Sequence, residues 1–199
     1  MDAKYITPAV TAFDHEGHVD MEANKRIYQW LIEGGMDGIL ILGSIGEFFA
    51  IPMEEKKRMI QEALDYVDHR VTVYVGTGGT VFEECVELSR FALDRGADGV
   101  MVISPYYFNL PDSSILNFYD TLAGQLDGPV LLYNFPARTG YDLKPEVVLE
   151  LARRRKNIVG IKDTVDVMGH TRELIQTVKR EYPEFLVYSG LMNFSPTMS

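Results

Sequence analysis

The chain has 199 residues, of which 46% are hydrophobic, and this is enough apolar material for one sizeable core. Its formal net charge of −10 argues against a nucleic-acid backbone as partner, because such binding draws on clustered Lys and Arg side chains. No apolar run approaches the roughly 18 residues of a membrane span, and a lone cysteine, Cys85, gives no disulfide framework, so we expect a cytoplasmic protein that binds neither nucleic acid nor membrane.

Short runs rich in Val, Ile and Leu alternate with longer amphipathic segments, which is typical of parallel strands joined by crossover helices. In chain order the predicted strands are Tyr5–Ala12, Gly38–Leu42, Val71–Gly76, Gly99–Ile103, Val130–Asn134, Ile158–Lys162 and Leu186–Ser189. The helices predicted between them are Met21–Glu33, Met53–Val67, Phe82–Arg95, Ser114–Leu126, Pro145–Arg155 and Met168–Tyr182. Gly34 and Gly96 follow two of these helices, and we expect both to adopt the left-handed conformation that ends a helix.

An internal repeat favours one architecture. The segments GMDGILIL (35–42) and GADGVMVI (96–103) place the same turn and strand at two positions. Such repetition predicts a (β/α)8 TIM barrel, with a doubly wound sheet as the alternative. The alternative is disfavoured, because GTGGTV (76–81) lacks the last glycine of a dinucleotide-binding loop and GSIGEF (43–48) lacks the lysine of a phosphate-binding loop.

The predicted barrel is one strand short. Seven strands are visible, whereas a closed barrel typically takes about 250 residues. The last nine residues, LMNFSPTMS, carry Pro196 and show no helical periodicity. We therefore expect a single barrel domain over residues 1–199 that lacks the eighth strand and the C-terminal helices, with the edges of its first and seventh strands unpaired.

Polar residues gather at the predicted strand ends, where the chemistry of a (β/α) barrel collects. These ends carry the segments GSIGE, GTGGT, SPYY, YNFPARTG, KDT and YSG. Loops so rich in hydroxyl groups predict a pocket for a small polar molecule. The four histidines show no metal-site spacing, so no metal ion is predicted.

Lys162 is the most informative of the residues at the strand ends. A strand buried on both faces reads as continuous apolar residues, so a lysine within IVGIKDT (158–164) is costly unless it is exposed or used. It follows Tyr133 by one βα repeat, which predicts neighbouring strand tips. Burial would lower the pKa of the amine and free the neutral form that attacks a carbonyl to make a Schiff base. On residue types alone an ion pair with Asp163 or with a nearby carboxylate at the barrel mouth is equally favoured. Strand alternation sends Asp163 to the opposite face, where it is expected to cap a helix or hold a loop.

Four segments, GSIGE (43–47), SPYY (104–107), YNFPARTG (133–140) and GIKDT (160–164), carry a resemblance to a known family. Their order and spacing are similar to those of the dihydrodipicolinate synthase / N-acetylneuraminate lyase family of pyruvate-dependent class I aldolases. The resemblance runs from about Tyr5 to Gly190. It implies a TIM-barrel lyase that acts on pyruvate and an aldehyde through a covalent Schiff base, needs no cofactor, and forms a homodimer or homotetramer.

The resemblance also implies a role for each matching residue. Lys162 matches the Schiff-base lysine, and Tyr133 matches the tyrosine that shuttles protons. Ser44 stands where the family has a Ser or Thr in the proton relay, and Tyr107 matches a tyrosine lent across a dimer interface. Arg138 matches the arginine with which the synthases hold a dicarboxylic substrate. The loop expected at the substrate carboxylate is formed by Gly43, Ile45, Gly46 and Glu47.

One departure from the family pattern bears on the substrate. Dihydrodipicolinate synthases usually carry two adjacent threonines in the first loop, and Ile45 replaces the one that binds the carboxylate of pyruvate. The segments KDT and YNFPA look like those of the 2-keto-3-deoxygluconate aldolases, whereas Arg138 favours a synthase. We rank cleavage of a 2-keto-3-deoxy sugar acid first and 4-hydroxy-tetrahydrodipicolinate synthesis from pyruvate and aspartate semialdehyde second. An inactive remnant with only an oligomeric or interaction role is the third hypothesis.

Overall fold

The computed structural model describes residues 4–190. Over this range the strands are β1 (Ile6–Pro8), β2 (Gly38–Ile41), β3 (Thr72–Gly76), β4 (Gly99–Ile103), β5 (Val130–Asn134), β6 (Ile158–Asp163) and β7 (Leu186–Ser189). The helices are α1 (Met21–Glu33), α2 (Met53–Val67), α3 (Phe82–Asp94), α4 (Asp112–Ala123), α5 (Pro136–Thr139), α6 (Pro145–Arg154) and α7 (Met168–Val178), and a 3₁₀ turn covers Phe48–Ala50.

The seven strands belong to one sheet whose order, β1 to β7, is the order along the chain. The neighbouring strands β1 and β2, β2 and β3, β5 and β6, and β6 and β7 run parallel. A doubly wound sheet reverses its order at a switch point, whereas a (β/α) barrel adds each strand beside the previous one. The observed order confirms the predicted barrel architecture and is inconsistent with the doubly wound alternative. The predicted absence of periodicity in LMNFSPTMS concerns residues outside the described range.

All seven predicted strands and all six predicted helices are confirmed, five of these elements with the predicted ends and the others with shifted ends. The first strand is shorter than predicted, since the chain leaves the sheet after the Ala9 N–H bonds the Leu40 carbonyl at 2.9 Å. The prediction for Gly96 is confirmed, with φ at 93°, but that for Gly34 is wrong. Gly34 keeps a right-handed conformation, with φ at −71°, and the reversal falls on Gly35 instead, with φ at 80°.

The chain forms two compact units. Residues 4–77 and 87–100 form the first unit, and residues 78–86 and 101–190 form the second. The prediction of a single domain over residues 1–199 stays a prediction. No helix of the described range is long and apolar enough to cross a membrane.

In the first unit, β2 is buried along its whole length and the helices cover it with apolar side chains. Asp20 caps the start of α1, where its carboxylate accepts the Ala23 N–H at 2.9 Å, and Asp68 caps the end of α2 in the left-handed region. The fully buried side chains from these helices include Tyr28, Met59 and Ile60.

In the second unit, β5 is buried at all five positions and β6 at four of its six positions. Gly160 of β6 lies beside β7, where an added Cβ would lie 2.8 Å from the Leu186 carbonyl oxygen, so the close approach of these strands requires a glycine. The register of β5 and β6 pairs Tyr133 with Lys162 and Asn134 with Asp163. The strand ends of this unit therefore bring the polar residues of two predicted segments side by side.

Candidate active site

Lys162 lies near the end of β6, with a side chain that is largely shielded from solvent. Its Nζ sits over the ring of Tyr133, 4.4 Å from the ring centroid. Tyr133 is 5% exposed and occupies the directly paired position on β5. The structure therefore brings together the amine and the aromatic side chain that the sequence places on neighbouring strand tips.

Burial lowers the pKa of Lys162 from 10.5 to about 8. Desolvation favours the neutral amine, whereas the negative face of the Tyr133 ring favours the charged form by about 0.5–2 kcal/mol. A shift of this size corresponds to about 3 kcal/mol, so desolvation outweighs the attraction of the ring. With a pKa of about 8, about one-tenth of the amine is neutral at pH 7, compared with about one part in three thousand at the ordinary value.

Lys162 forms no ion pair with any described residue, so the predicted alternative of a pair with Asp163 is wrong. The carboxylate of Asp163 lies on the opposite side of β6 and is 1% exposed. There it accepts hydrogen bonds from Asn134 Nδ2 at 3.0 Å and from Thr171 Oγ1, in the first turns of α7, at 2.6 Å. Asp163 thus holds a helix and a neighbouring strand, and Lys162 is left without a counter-ion.

Arg138 joins the same region through an aromatic side chain. Its guanidinium carbon lies 5.8 Å from the centroid of the Phe135 ring, and that ring stacks on Tyr133 with a centroid separation of 6.0 Å and an interplanar angle of 27°. Arg138 is exposed on α5, and no carboxylate among residues 4–190 lies within ion-pair distance of it. Lys162, Tyr133, Phe135 and Arg138 therefore form a continuous row in the second unit, with a free guanidinium at its outer end.

The loop predicted to hold a substrate carboxylate lies in the first unit. Gly43 and Gly46 are buried, and the Gly46 carbonyl accepts the Thr11 hydroxyl at 2.7 Å. Ser44 is half-buried, while the Ile45 side chain is 57% exposed. Glu47 is also exposed and has φ at 55°.

A second left-handed residue, Leu42, precedes this loop with φ at 54° and is 1% exposed. Non-glycine residues at positive φ cost conformational energy and collect at functional sites. The left-handed conformations of Leu42 and Glu47 were not predicted, because neither position carries the glycine that would indicate such a turn.

Tyr107 lies in the second unit, on the segment after β4, and its side chain is 86% exposed. Its φ of 93° is unusual for a residue with a Cβ. The ring packs edge-on against Phe108, which is 70% exposed, with a centroid separation of 4.9 Å. The chain therefore presents two adjacent aromatic side chains to solvent at a strained backbone position.

No group of three or more His, Cys, Asp or Glu side chains within residues 4–190 has a geometry that could hold a metal ion.

The contacts of Phe135 with Tyr133 and Arg138 were not predicted from the sequence. Phe135 follows Tyr133 by two residues, but the stacking of the two rings depends on how the chain turns into α5.

The shielded amine predicts a pH-dependent gain in stability for Lys162→Met. The folded pKa is about 8 and the unfolded pKa is about 10.5, so the cost of burying the cation is fully present below pH 8 and fades as the pH rises toward 10.5. We expect urea unfolding to show a gain on the order of 2 kcal/mol at pH 7 and little gain at pH 10. Lys144→Met is the control, because that amine is exposed and paired with Asp112 at 2.8 Å. A gain for Lys162→Met that is equal at both pH values contradicts the proposed cost.

Comparison with known proteins identifies the family of the chain. The sequence profile described as "Dihydrodipicolinate synthetase family" matches residues 2–198. The chain is 44% identical over 185 residues to the "Putative 2-dehydro-3-deoxy-D-gluconate aldolase YagE" of Escherichia coli (strain K12), covering 93% of this chain and 61% of that protein. It is 42% identical over 188 residues to the 4-hydroxy-tetrahydrodipicolinate synthase of Methanoculleus marisnigri, covering 93% of this chain and 63% of the synthase.

A solved structure extends this likeness to the fold. The crystal structure of YagE from E. coli K12 in complex with pyruvate superposes with a TM-score of 0.93 at 43% identity, covering 96% of this chain and 64% of that one. The chain thus spans less than two thirds of the length of these relatives. Because the profile covers nearly all of it, the chain belongs to the dihydrodipicolinate synthetase family.

Proposed function

We propose that this chain acts as a class I lyase, in which Lys162 forms a covalent imine with the ketone of pyruvate or of another 2-oxo acid. The observation that carries the proposal is the shielded Lys162 amine, whose pKa is lowered to about 8 and which has no carboxylate partner among the described residues. A neutral amine at near-neutral pH is the requirement for attack on a carbonyl. The relatives support the assignment, since YagE was crystallised with pyruvate.

The proposed reaction passes through an imine between Lys162 and the 2-oxo acid and then through an enamine. The neutral Nζ attacks the ketone carbon, the carbonyl oxygen takes up a proton, and loss of water leaves a protonated imine. Its positive nitrogen draws electrons from the adjacent carbon, so that carbon loses a proton to give an enamine. The enamine carbon attacks the aldehyde carbon in condensation, and cleavage runs the same steps in reverse. Tyr133 is the proposed proton carrier because it matches the family's proton-shuttling tyrosine, and its ring lies against the amine, with Nζ 4.4 Å from the ring centroid.

The remaining predicted residues have proposed roles around this step. Ser44 is the proposed hydroxyl of the proton relay, and Tyr107 is the proposed tyrosine that one copy lends to the relay of a second copy. Backbone N–H groups of the loop bind the substrate carboxylate, because Ile45 offers no side-chain donor there. The members of that loop are Gly43, Ile45, Gly46 and Glu47. Arg138 faces the second substrate.

Reductive trapping tests the proposal directly. Incubation with pyruvate and borohydride is expected to add the reduced pyruvyl group to the peptide that contains Lys162, as seen by mass mapping. The trapping rate is expected to rise with pH toward a plateau above about 8, because the neutral fraction grows through that range. Tyr133→Phe is expected to slow turnover by about 10²–10⁴-fold while retaining the site of modification.

The control for trapping is Lys144→Met, which removes an exposed lysine and is expected to leave the yield unchanged. Folded protein that remains unmodified at Lys162 in the presence of pyruvate would falsify the imine mechanism. That result would favour the third hypothesis, a protein with only an oligomeric or interaction role.

The proposed substrate of first choice is a 2-keto-3-deoxy sugar acid, which cleaves to pyruvate and a hydroxyaldehyde. Two observations support it. Ile45 replaces a hydroxyl that a synthase usually carries, and its side chain is exposed rather than bound into the fold. The relative with 44% identity is named for 2-dehydro-3-deoxy-D-gluconate, although a synthase follows closely at 42%.

The second candidate is 4-hydroxy-tetrahydrodipicolinate synthesis, and a specific feature favours it. Arg138 presents a guanidinium that stacks on Phe135 and has no carboxylate partner within residues 4–190. A planar, bidentate donor of this kind suits the additional carboxylate of aspartate semialdehyde.

A paired assay separates the two substrates. We expect kcat/KM for release of pyruvate from 2-keto-3-deoxygluconate to exceed kcat/KM for condensation with aspartate semialdehyde by at least about tenfold, a difference of about 1.4 kcal/mol. Arg138→Leu is expected to weaken the condensation more than the cleavage, because only the former substrate brings the additional carboxylate. The reverse order of the two rates rejects the sugar-acid assignment and supports the synthase.

We also propose that the chain self-associates through Tyr107 and Phe108 into a homodimer or a homotetramer. Exposed aromatic pairs are enriched at protein interfaces, and the strained backbone at Tyr107 holds this pair outward. Sedimentation velocity is expected to show a dimer or larger species that dissociates at least about tenfold more readily in the Tyr107→Ser/Phe108→Ser variant. Trp30→Ser is the matched control, since Trp30 is 73% exposed on α1. Sedimentation of the unsubstituted chain as a monomer contradicts the proposal.

A further inference from the structure

A cluster of polar side chains lies behind the proposed imine site, on the opposite face of the same two strands. Its centre is the buried carboxylate of Asp163, which accepts from Asn134, Thr171 and His170 Nδ1, the last at 3.0 Å. His170 belongs to the first turn of α7, and its side chain is 13% exposed. None of these four side chains contributes a step to the chemistry described above.

Asn134 extends the cluster into the loop after β5. Its Nδ2 donates to Asp163 Oδ1 and also to Asp142 Oδ1 at 2.8 Å, and its Oδ1 accepts the Leu143 N–H at 3.0 Å. The amide therefore uses both hydrogens and its oxygen to join β5, β6 and the loop of residues 135–144. This loop carries Arg138.

The backbone connects the cluster to Tyr133 and Lys162. Asn134 directly follows Tyr133, and Asp163 directly follows Lys162, so alternation sends one residue of each pair to each face of the sheet. The register aligns both pairs. The backbone segments that carry the polar cluster therefore also carry the phenol ring and the amine.

His170 closes the cluster between two carboxylates. Its Nε2 lies 3.4 Å from Asp142 Oδ1, an ion-pair distance at which the geometry is not that of a hydrogen bond. The groups that face the ring are Asp163 on β6, Asp142 on the loop, and the backbone of Leu143. The hydrogen bond to Asp163 raises the pKa of His170, so the stability that the cation contributes is fully present below about pH 6.5 and is lost as the pH rises through the raised folded value.

We propose that His170 is a positioning residue, which ties the loop of residues 135–144 to the end of β6 and so keeps the Lys162 amine shielded beside Tyr133. The inference rests on the proposed imine chemistry for its functional meaning. The pKa of the Lys162 amine, which reports its exposure to water, is measurable without turnover. Loss of the His170 cation leaves the carboxylates of Asp142 and Asp163 facing each other with only the Asn134 amide between them.

The test measures the pKa of Lys162 by competitive acetylation with acetic anhydride over a range of pH, with the modified peptide followed by mass mapping. The midpoint for the unsubstituted chain is expected at about 8. In His170→Leu we expect the midpoint to rise by about one pH unit, because water reaches the amine. The rate of imine trapping with pyruvate at pH 7 then falls roughly tenfold, in proportion to the neutral fraction.

Matched variants separate positioning from simple structural support. His170→Asn keeps a donor near the position of Nδ1, so we expect its Lys162 midpoint to rise by no more than about half of the shift in His170→Leu. Asp142→Asn removes one carboxylate from a side chain that is 51% exposed, and is expected to raise the midpoint by a smaller amount. His18→Leu removes an exposed histidine that also lies near two carboxylates, and is expected to change nothing.

The outcomes are distinct. If His170→Leu is folded by circular dichroism and its Lys162 midpoint stays within about 0.2 pH unit of the original, the role is structural only and the inference is rejected. If His170→Leu does not fold, the tolerant Asp142→Asn variant decides, and an unchanged midpoint there also rejects it. An acetylation midpoint near pH 8 without imine trapping in the unsubstituted chain rejects the proposed function alone, because the midpoint reports the environment of the Lys162 amine independently of catalysis.

Discussion

The removal of one amine from water is the constraint on which the site depends. A lysine inside a parallel sheet must either find a counter-ion or lose its charge, since the buried cation is costly. In this chain the only close partner described for the Lys162 amine is the face of the Tyr133 ring, which attracts a cation too weakly to restore an ordinary pKa. The sheet therefore holds a partly neutral amine near pH 7 by exclusion of solvent, at a cost in folding free energy.

Adjacent residues of β6 place opposite charges on opposite faces of the sheet. Lys162 points to one face without a counter-ion, while Asp163 points to the other and is saturated by donors from β5 and α7. The separation matters because a carboxylate on the amine's own side would stabilise the cation and suppress the neutral form. An acidic residue next to the lysine is thus compatible with a low lysine pKa only because a strand alternates its side chains.

Sequence reasoning recovered the architecture because the information it needed is local. Each strand is a short apolar run and each helix an amphipathic segment, so periodicity alone locates them, and the anomaly of a lysine in an apolar strand points to Lys162. The ends of some elements were less accurate, as in the first strand, which is shorter than predicted, and the reversal expected at Gly34 falls on Gly35. The contacts of Phe135 with Arg138, and of His170 with Asp142, were not predictable, since they join residues through turns and distant segments whose geometry no spacing rule specifies. The left-handed Leu42 gave no signal either, because its side chain is a typical core residue.

The row formed by Tyr133, Phe135 and Arg138 has a consequence for how such a site can diversify. The ring of Phe135 contacts the bond-forming end of the row on one side and the guanidinium on the other, so the two ends are joined by stacking rather than by shared charge. Under the proposed mechanism, Arg138 selects the second substrate from an exposed turn, while the shielded Lys162 amine forms the imine at the other end of the row. The proposed aldehyde preference can then change by substitution in that turn while the proposed imine chemistry is kept.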